Sequence, residues 1–344
     1  MLPGYHSATE YHFRQEPADA ICRTTTYHRK DFGLAVIWFP AREHADIRPS
    51  IATPFPVKSD RGLGSLNRLP PELLHDVLFR LDMQSLFKLR QTSLESREVV
   101  DSLHQYQMVV SHGLNLFCAL LRTRLAVGVS LLDFYNALYT KACVLCGEFS
   151  GFISLLTWKR CCFPCLQTAP ELQVQTLAAA RKQLRLGKFE INQFRSFKTL
   201  PGIYSMNEST QKSRIAVICV HQALSVVKKD APASWQQVDS PRSKKLNFMG
   251  AVALPYYDRA AGRVEHGLSC AGCQLALEKY IIGARGERWA FEARDKVYSR
   301  DGFLEHFRWC EQAQGLWRSS GEGVHRPSEL PEAARRRGYC GMRE

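Results

Sequence analysis

Eight residues of this chain have the types and spacing of metal ligands. Cys143-Val-Leu-Cys146 is one C-x2-C pair and Cys162-Phe-Pro-Cys165 is a second. Two residues between ligands let one tight turn aim both sulfurs at one ion. The gap between the pairs falls at the short end of the range for a tetrahedral zinc site. Four thiolates close all four positions, as a structural site requires. Gly147, just after the second ligand, suits the left-handed backbone of such a knuckle. Lys159 and Arg160 stand beside the second pair, where they can offset the negative charge of four thiolates on one zinc ion. The competing reading is a set of buried free cysteines acting as small hydrophobes; two C-x2-C pairs at this spacing favour zinc.

A second set is Cys270-Ala-Gly-Cys273 with His306 and Cys310. The i, i+4 spacing predicts that His306 and Cys310 share one face of a helix beginning after Gly302. Together the four form a Cys3His donor set, again a structural zinc pattern. The long gap from Cys273 to His306 leaves another arrangement open, in which Cys270 and Cys273 complete a site with one of the first two pairs. Cys161 is a spare thiol that could replace Cys162. Cys22, Cys118, Cys219 and Cys340 are isolated and are not read as ligands.

These residues need a scaffold. Leu114, Phe117, Leu120 and Leu121, then Leu131, Leu132, Tyr135 and Leu138, mark two helices on either side of Gly128, with Ser130 as a cap. They deliver the chain to the first knuckle. Between the two pairs lie Phe149, Phe152, Ile153, Leu155, Leu156 and Trp158, the apolar insert of a hairpin that would cover the metal. A helix is expected from Pro170 to Leu186, a short buried element over Ile215–Val220, and a polar surface loop from Pro232 to Lys245.

The chain has 344 residues, enough for about two domains. It is 45% hydrophobic and 23% charged, an ordinary globular balance. Net charge is 46 − 33 = +13, but the basic residues are scattered, which favours solvated faces over a nucleic-acid stripe. The first sixteen residues lack an apolar core, so no signal peptide is expected, and no apolar run reaches the length of a membrane span. Twelve cysteines in such a chain point to metal ligands rather than disulfides, hence to the cytoplasm or nucleus. Residues 1–62 read as a disordered N-terminal segment and 319–344 as a disordered basic tail.

Order is expected to begin near Ser65. In Leu69-Pro70-Pro71-Glu72-Leu73-Leu74, Pro71 fits the first helical position, and Leu73, Leu74, Val77, Leu78 and Leu81 recur at helical spacing. Asp82 can cap a helix carrying Leu86, Phe87 and Leu89, and Thr92 with Glu95 forms a capping-box pattern for a third. Three short helices cannot bury this much apolar surface alone. The Leu-Pro-Pro-Glu-Leu start with its spaced leucines resembles an F-box. A longer pattern resembles a group of fungal F-box proteins: Lys141–Gly147, Arg160–Leu166, Leu200-Pro-Gly-Ile-Tyr204, Ser269–Cys273 and Phe303–Gln314. The tryptophan that many F-boxes carry near the end of the third helix is missing here.

The resemblance implies a mainly α, α+β fold, with an F-box at 63–108 followed by a Cys-rich, zinc-stabilised domain at 109–318. It implies that Leu69, Pro70, Leu73, Leu74, Val77, Leu81, Leu86 and Leu89 dock on the Skp-type adaptor of a cullin–RING ubiquitin ligase. The protein is then a non-catalytic adaptor that recruits a target protein of unknown identity. The alternative is a zinc-ribbon nucleic-acid-binding protein. No H-E-x-x-H, G-x-S-x-G or P-loop stretch suggests an enzyme.

Overall fold

The N-terminal segment is folded wherever its structure is described. A computed structural model describes residues 9–13, 17–53, 63–227, 241–280 and 288–339. It places α1 (Ala18–Thr25), β1 (Thr26–Tyr27), α2 (Lys30–Leu34) and α3 (Ala41–Ala52) within the stretch expected to be disordered. Ile21, Phe32 and Ile51 from these elements, and Val36 and Ile37 between α2 and α3, are buried. Each element is too short to bury apolar surface alone, and each borrows a core built by residues far along the chain. The rest of the disorder expected in residues 1–62 falls on 1–8, 14–16 and 54–62, outside the described residues.

A 3-10 turn at Gly64–Arg68 leads into α4 (Pro71–Arg80), α5 (Met83–Arg90) and α6 (Leu94–Ser102). Pro71 occupies the first helical position and Asp82 caps α5 by accepting from the Gln84 and Ser85 amides. Ser93, not Thr92, caps α6, with its hydroxyl accepting from the Ser96 amide. Then α7 (His104–Thr123) runs out of this region into the rest of the molecule, bending at Gly113, where the Phe134 ring leaves no room for a side chain. In α8 (Leu131–Leu138), Ser130 and Asp133 cap the start reciprocally. Ile37, Leu74, Leu78, Met83, Leu86, Phe117, Phe134 and Val252 all belong to one apolar cluster. The expected boundary at 108/109 is therefore not a break in the structure. Arg90 reinforces the join. It is fully buried, pairs with Asp101 at 2.7 Å, and donates to the Ser50 and Thr53 carbonyls at the end of α3.

The expected hairpin is present as β2 (Phe152–Ser154) and β3 (Arg160–Cys161), followed by α9 (Phe163–Thr168). Residues 170–186 do not form one helix. They make a 3-10 turn, β4 (Val174–Thr176), and α10 (Leu177–Leu184) capped by Thr176. The β-branched Val174 and Thr176 pair with a later strand, and this pairing wins over local helix propensity. After α11 (Lys188–Ile191) come β5 (Ser196–Lys198), the hairpin β6 (Gly202–Tyr204) with β7 (Ser209–Gln211), β8 (Ala216–Cys219) and α12 (Val220–Val227). Strands β4, β8 and β5 form one antiparallel sheet. The expected polar loop ends instead in α13 (Pro241–Met249), whose buried Asn247 accepts from the Val174 amide; residues 228–240 lie outside the described residues. Next, β9 (Ala251–Ala253) joins β2 and β3 as a third strand.

The remainder is β10 (Tyr256–Asp258), β11 (Arg263–Glu265), β12 (Ser269–Cys270), α14 (Ala271–Glu278), α15 (Arg288–Asp295), α16 (Arg300–Phe307), α17 (Glu311–Ser319) and α18 (Glu332–Arg336). The expected disordered tail is docked as far as residue 339: Ala333 and Ala334 are buried in a cluster with Ala271 and Leu275 of α14. Strand β1 pairs with β12, the Lys30 amide donates to the Arg337 carbonyl, and the Tyr339 amide donates to the Asp31 carboxylate. The two ends of the described chain thus clamp each other. Among the described residues, no helix is long and apolar enough to cross a membrane.

Candidate functional site

The first knuckle hangs on the β2–β3 hairpin. The Gly147 amide donates to the Cys143 carbonyl and the Val144 amide to the Arg160 carbonyl. Gly147 has a φ of +77°, the left-handed turn that the sequence predicts. The second pair sits at the start of α9, where the Cys162 sulfur caps the helix by accepting from the Cys165 amide at 3.5 Å. This brings Cys143, Cys146, Cys162 and Cys165 together, with ligand atoms all within 4.8 Å of one another. The Cys146 and Cys162 sulfurs are 3.6 Å apart. That is far beyond a disulfide bond of about 2.05 Å. It is near the edge of about 3.8 Å that zinc–sulfur bonds of about 2.3 Å give a tetrahedron.

The thiols of this cluster differ: the bond to Cys143 pushes Cys162 up and burial pushes Cys165 up. The Cys143 thiol is held well below its usual range by a hydrogen bond from Cys162. The Arg160 guanidinium is buried and bonds only neutral acceptors, the Ser150 hydroxyl and the Ser150 and Leu254 carbonyls. Burial pulls its pKa down to about 10. Cys161 does not substitute for Cys162. It is fully buried in the core and burial raises its thiol far above the normal range.

The second centre repeats the design. Cys270 caps α14, its sulfur accepting from the Cys273 amide at 3.3 Å. Cys270, Cys273, His306 and Cys310 also lie with ligand atoms within 4.8 Å of one another. The Cys270–Cys310 sulfur separation is 3.7 Å, and Cys273 lies 3.3 Å from His306 Nε2. The geometric premise for His306 and Cys310 needs correction, because they do not share a helix. α16 stops at Phe307, the chain tightens so that the Trp309 and Cys310 amides both reach the His306 carbonyl, and Cys310 precedes α17. No residue pattern announces this turn, yet the donors still converge. Cys310 is held well below the usual thiol range by hydrogen bonds from Cys270 and Cys273. The Tyr298 ring stacks on His306 at 4.7 Å and fixes its plane, a partner that no ligand motif announces. Gly272 is required for a different reason: a Cβ there would meet the Ala313 backbone nitrogen at 2.3 Å.

The two centres share no ligands, so the arrangement with pooled cysteines is not adopted. Both sets could hold a metal ion, and their donors are compatible with zinc. Cys22, Cys118 and Cys219 are buried free thiols outside both sets; Cys340 lies outside the described residues.

The eight expected docking residues separate into two faces. Leu73 and Val77 point outward, 56% and 50% exposed, and Leu69 and Pro70 lie exposed just ahead of them. Leu74 and Leu86 are buried in the core, while Leu81 and Leu89 are half-buried and pack against it. The single apolar face read from the spacing is thus two faces: Leu74 and Leu78 turn inward, Leu73 and Val77 outward. Hydrophobic spacing alone cannot tell one wide stripe from two back-to-back ones. Leu66 and Leu94, both more than a third exposed, are further exposed apolar residues of this region.

Residues 66–108 match the family model of the F-box domain. The match covers all three helices α4, α5 and α6 and the exposed residues from Leu66 to Leu94. No curated protein and no solved structure matches the chain.

Proposed function

We propose that this protein is the substrate-recruiting subunit of a cullin–RING ubiquitin ligase, docked through its F-box on a Skp-type adaptor. The observation that carries this is the coincidence of the F-box match with an outward apolar row, Leu69, Pro70, Leu73 and Val77, on helices whose opposite face is firmly buried. An exposed apolar row on an otherwise satisfied helix is a binding surface rather than a packing defect. The likeness to fungal F-box proteins belongs to this proposal and rests on the motifs quoted above.

The remainder of the chain carries the recruiting surface. Two zinc ions, one in each donor set, would fix the hairpin and the α14–α17 pair, acting as structural cross-links. In this reading the protein holds its target and the ligase together, and chemistry is left to other subunits.

The test is co-expression of the full chain with a Skp-type adaptor and a cullin. Recovery of a stoichiometric complex by gel filtration supports the proposal. Separate elution of chain and adaptor at micromolar concentration refutes it. Native mass spectrometry of the same sample counts zinc, with two per chain expected.

A further inference from the structure

A cavity of about 720 Å³ lies where the N-terminal segment, the first metal module and the β11–β12 region meet. Its size falls within the range of about 300 to 1,000 Å³ typical of small-molecule sites. The apolar wall is aromatic: Phe32 and Phe163 stack at 3.7 Å, Phe149 and Phe152 adjoin them, and Trp38 stands half-exposed at the rim. The polar wall is made of histidines and one lysine. His28 and His266 face each other with ring centroids 5.4 Å apart, His112 joins them, and burial holds all three below their usual range, so they are neutral near pH 7; Lys30 stands exposed beside them, and Arg336 is paired with Glu332 at 2.7 Å. Arg29 also lines the space, but its charge is committed to Asp31 and Asp295. No carboxylate lines the cavity among the described residues.

Two further observations point to a ligand. Ser269 lines the cavity, is 1% exposed, and its hydroxyl has no hydrogen-bond partner among the described residues. An orphaned buried hydroxyl costs free energy unless something supplies the missing bond. Gly151 also lines the space, and a Cβ built on it meets nothing within 4 Å, so the backbone there borders open volume.

We infer that this cavity is a binding site for an apolar, aromatic-sized group carrying an anionic substituent, the group lying on the phenylalanine wall and the anion facing Lys30, with the neutral histidines as hydrogen-bond donors. The same chemistry is available from a free organic acid or from an aromatic side chain beside an acidic residue at the end of a peptide. The site does not depend on the adaptor reading, since none of its lining belongs to residues 66–108.

The probe is anilinonaphthalene sulfonate, an aromatic anion whose fluorescence reports burial, titrated into the metal-loaded full chain. N-phenylnaphthylamine, which has the same rings without the sulfonate, is the neutral control. Saturable binding of the sulfonate, tighter than the neutral dye, is expected. Gly151→Leu should fill the cavity and abolish binding of both dyes. Lys30→Glu should weaken the sulfonate by about tenfold and spare the neutral dye, because only a charge facing the anion is reversed. Neither change touches the core, so the thermal unfolding curves should match wild type. Displacement of the dye by naphthoic acid, or better by a short Trp-Glu-containing peptide, then separates the two sources. Undiminished dye binding to Gly151→Leu, or equal affinity for the charged and neutral dyes, overturns the assignment.

Discussion

Replacing Leu69, Leu73 and Val77 together by alanine separates binding from folding. These side chains leave 38%, 56% and 50% of their surface uncovered. Burying a residue of this kind completely is worth about 1.5 to 3 kcal/mol, so the uncovered fractions of the three, less what alanine retains, amount to about 2 to 3 kcal/mol. If a Skp-type adaptor covers them, the variant should bind it about 30- to 150-fold more weakly. The fold should lose less per residue than at a core position, because about half of each side chain is already in water. Leu78→Ala is the matched control: at 2% exposure it should cost about 2 to 5 kcal/mol of stability instead. Surface plasmon resonance on immobilised adaptor gives the affinities, and thermal unfolding followed by circular dichroism gives the stabilities. A trio variant that binds within threefold of wild type would refute the assignment of this face. So would a single replacement, Leu73→Ala, that loses as much stability as Leu78→Ala, since the row would then be core in solution.

Cys310→Ala should lower bound zinc from two ions to one by native mass spectrometry, leaving the first centre loaded, because the two sets share no ligand. Gly272→Ala should lower the unfolding temperature although no ligand changes, since the new methyl meets the Ala313 backbone; overpacking of this kind costs about 1 to 3 kcal/mol. Asp31→Ala removes the carboxylate from buried Arg29 and the acceptor of the Tyr339 amide, and chemical denaturation should register a loss of about 3 to 5 kcal/mol. Ser93→Ala should cost about 1 kcal/mol, whereas Thr92→Ala should cost less, which tests which residue caps α6.

The metal donors were the most legible part of this chain. Ligand spacing is a local constraint, and Gly147 at φ +77° and Cys162 at the start of α9 are local consequences of it. Caps such as Asp82 and Ser130 were legible for the same reason. The errors arose wherever a residue's role is set by distant partners. Ile21 and Phe32 gave no periodic signal because the surfaces they cover come from α14, α16 and α17 or from α9, hundreds or scores of residues later. Val174 and Thr176 became a strand because β8 lies beside them. Leu73 and Leu74 are neighbours with the same chemistry, and only the position of α8 decides which of them turns to solvent.

Arg90, buried between Asp101 and the end of α3, has a mechanical consequence. The F-box is bolted to the rest of the protein by this guanidinium and by an apolar cluster that runs without interruption from Leu74 to Leu254. Among the described residues this joint is packed on both sides. If this chain holds a target as proposed, that surface would be carried at one bearing from the adaptor, like a bracket rather than a leash. Only those lysines of a target that fall in the arc swept by the catalytic subunits would then be marked, and selection among them would follow from the angle of the bracket rather than from their chemistry.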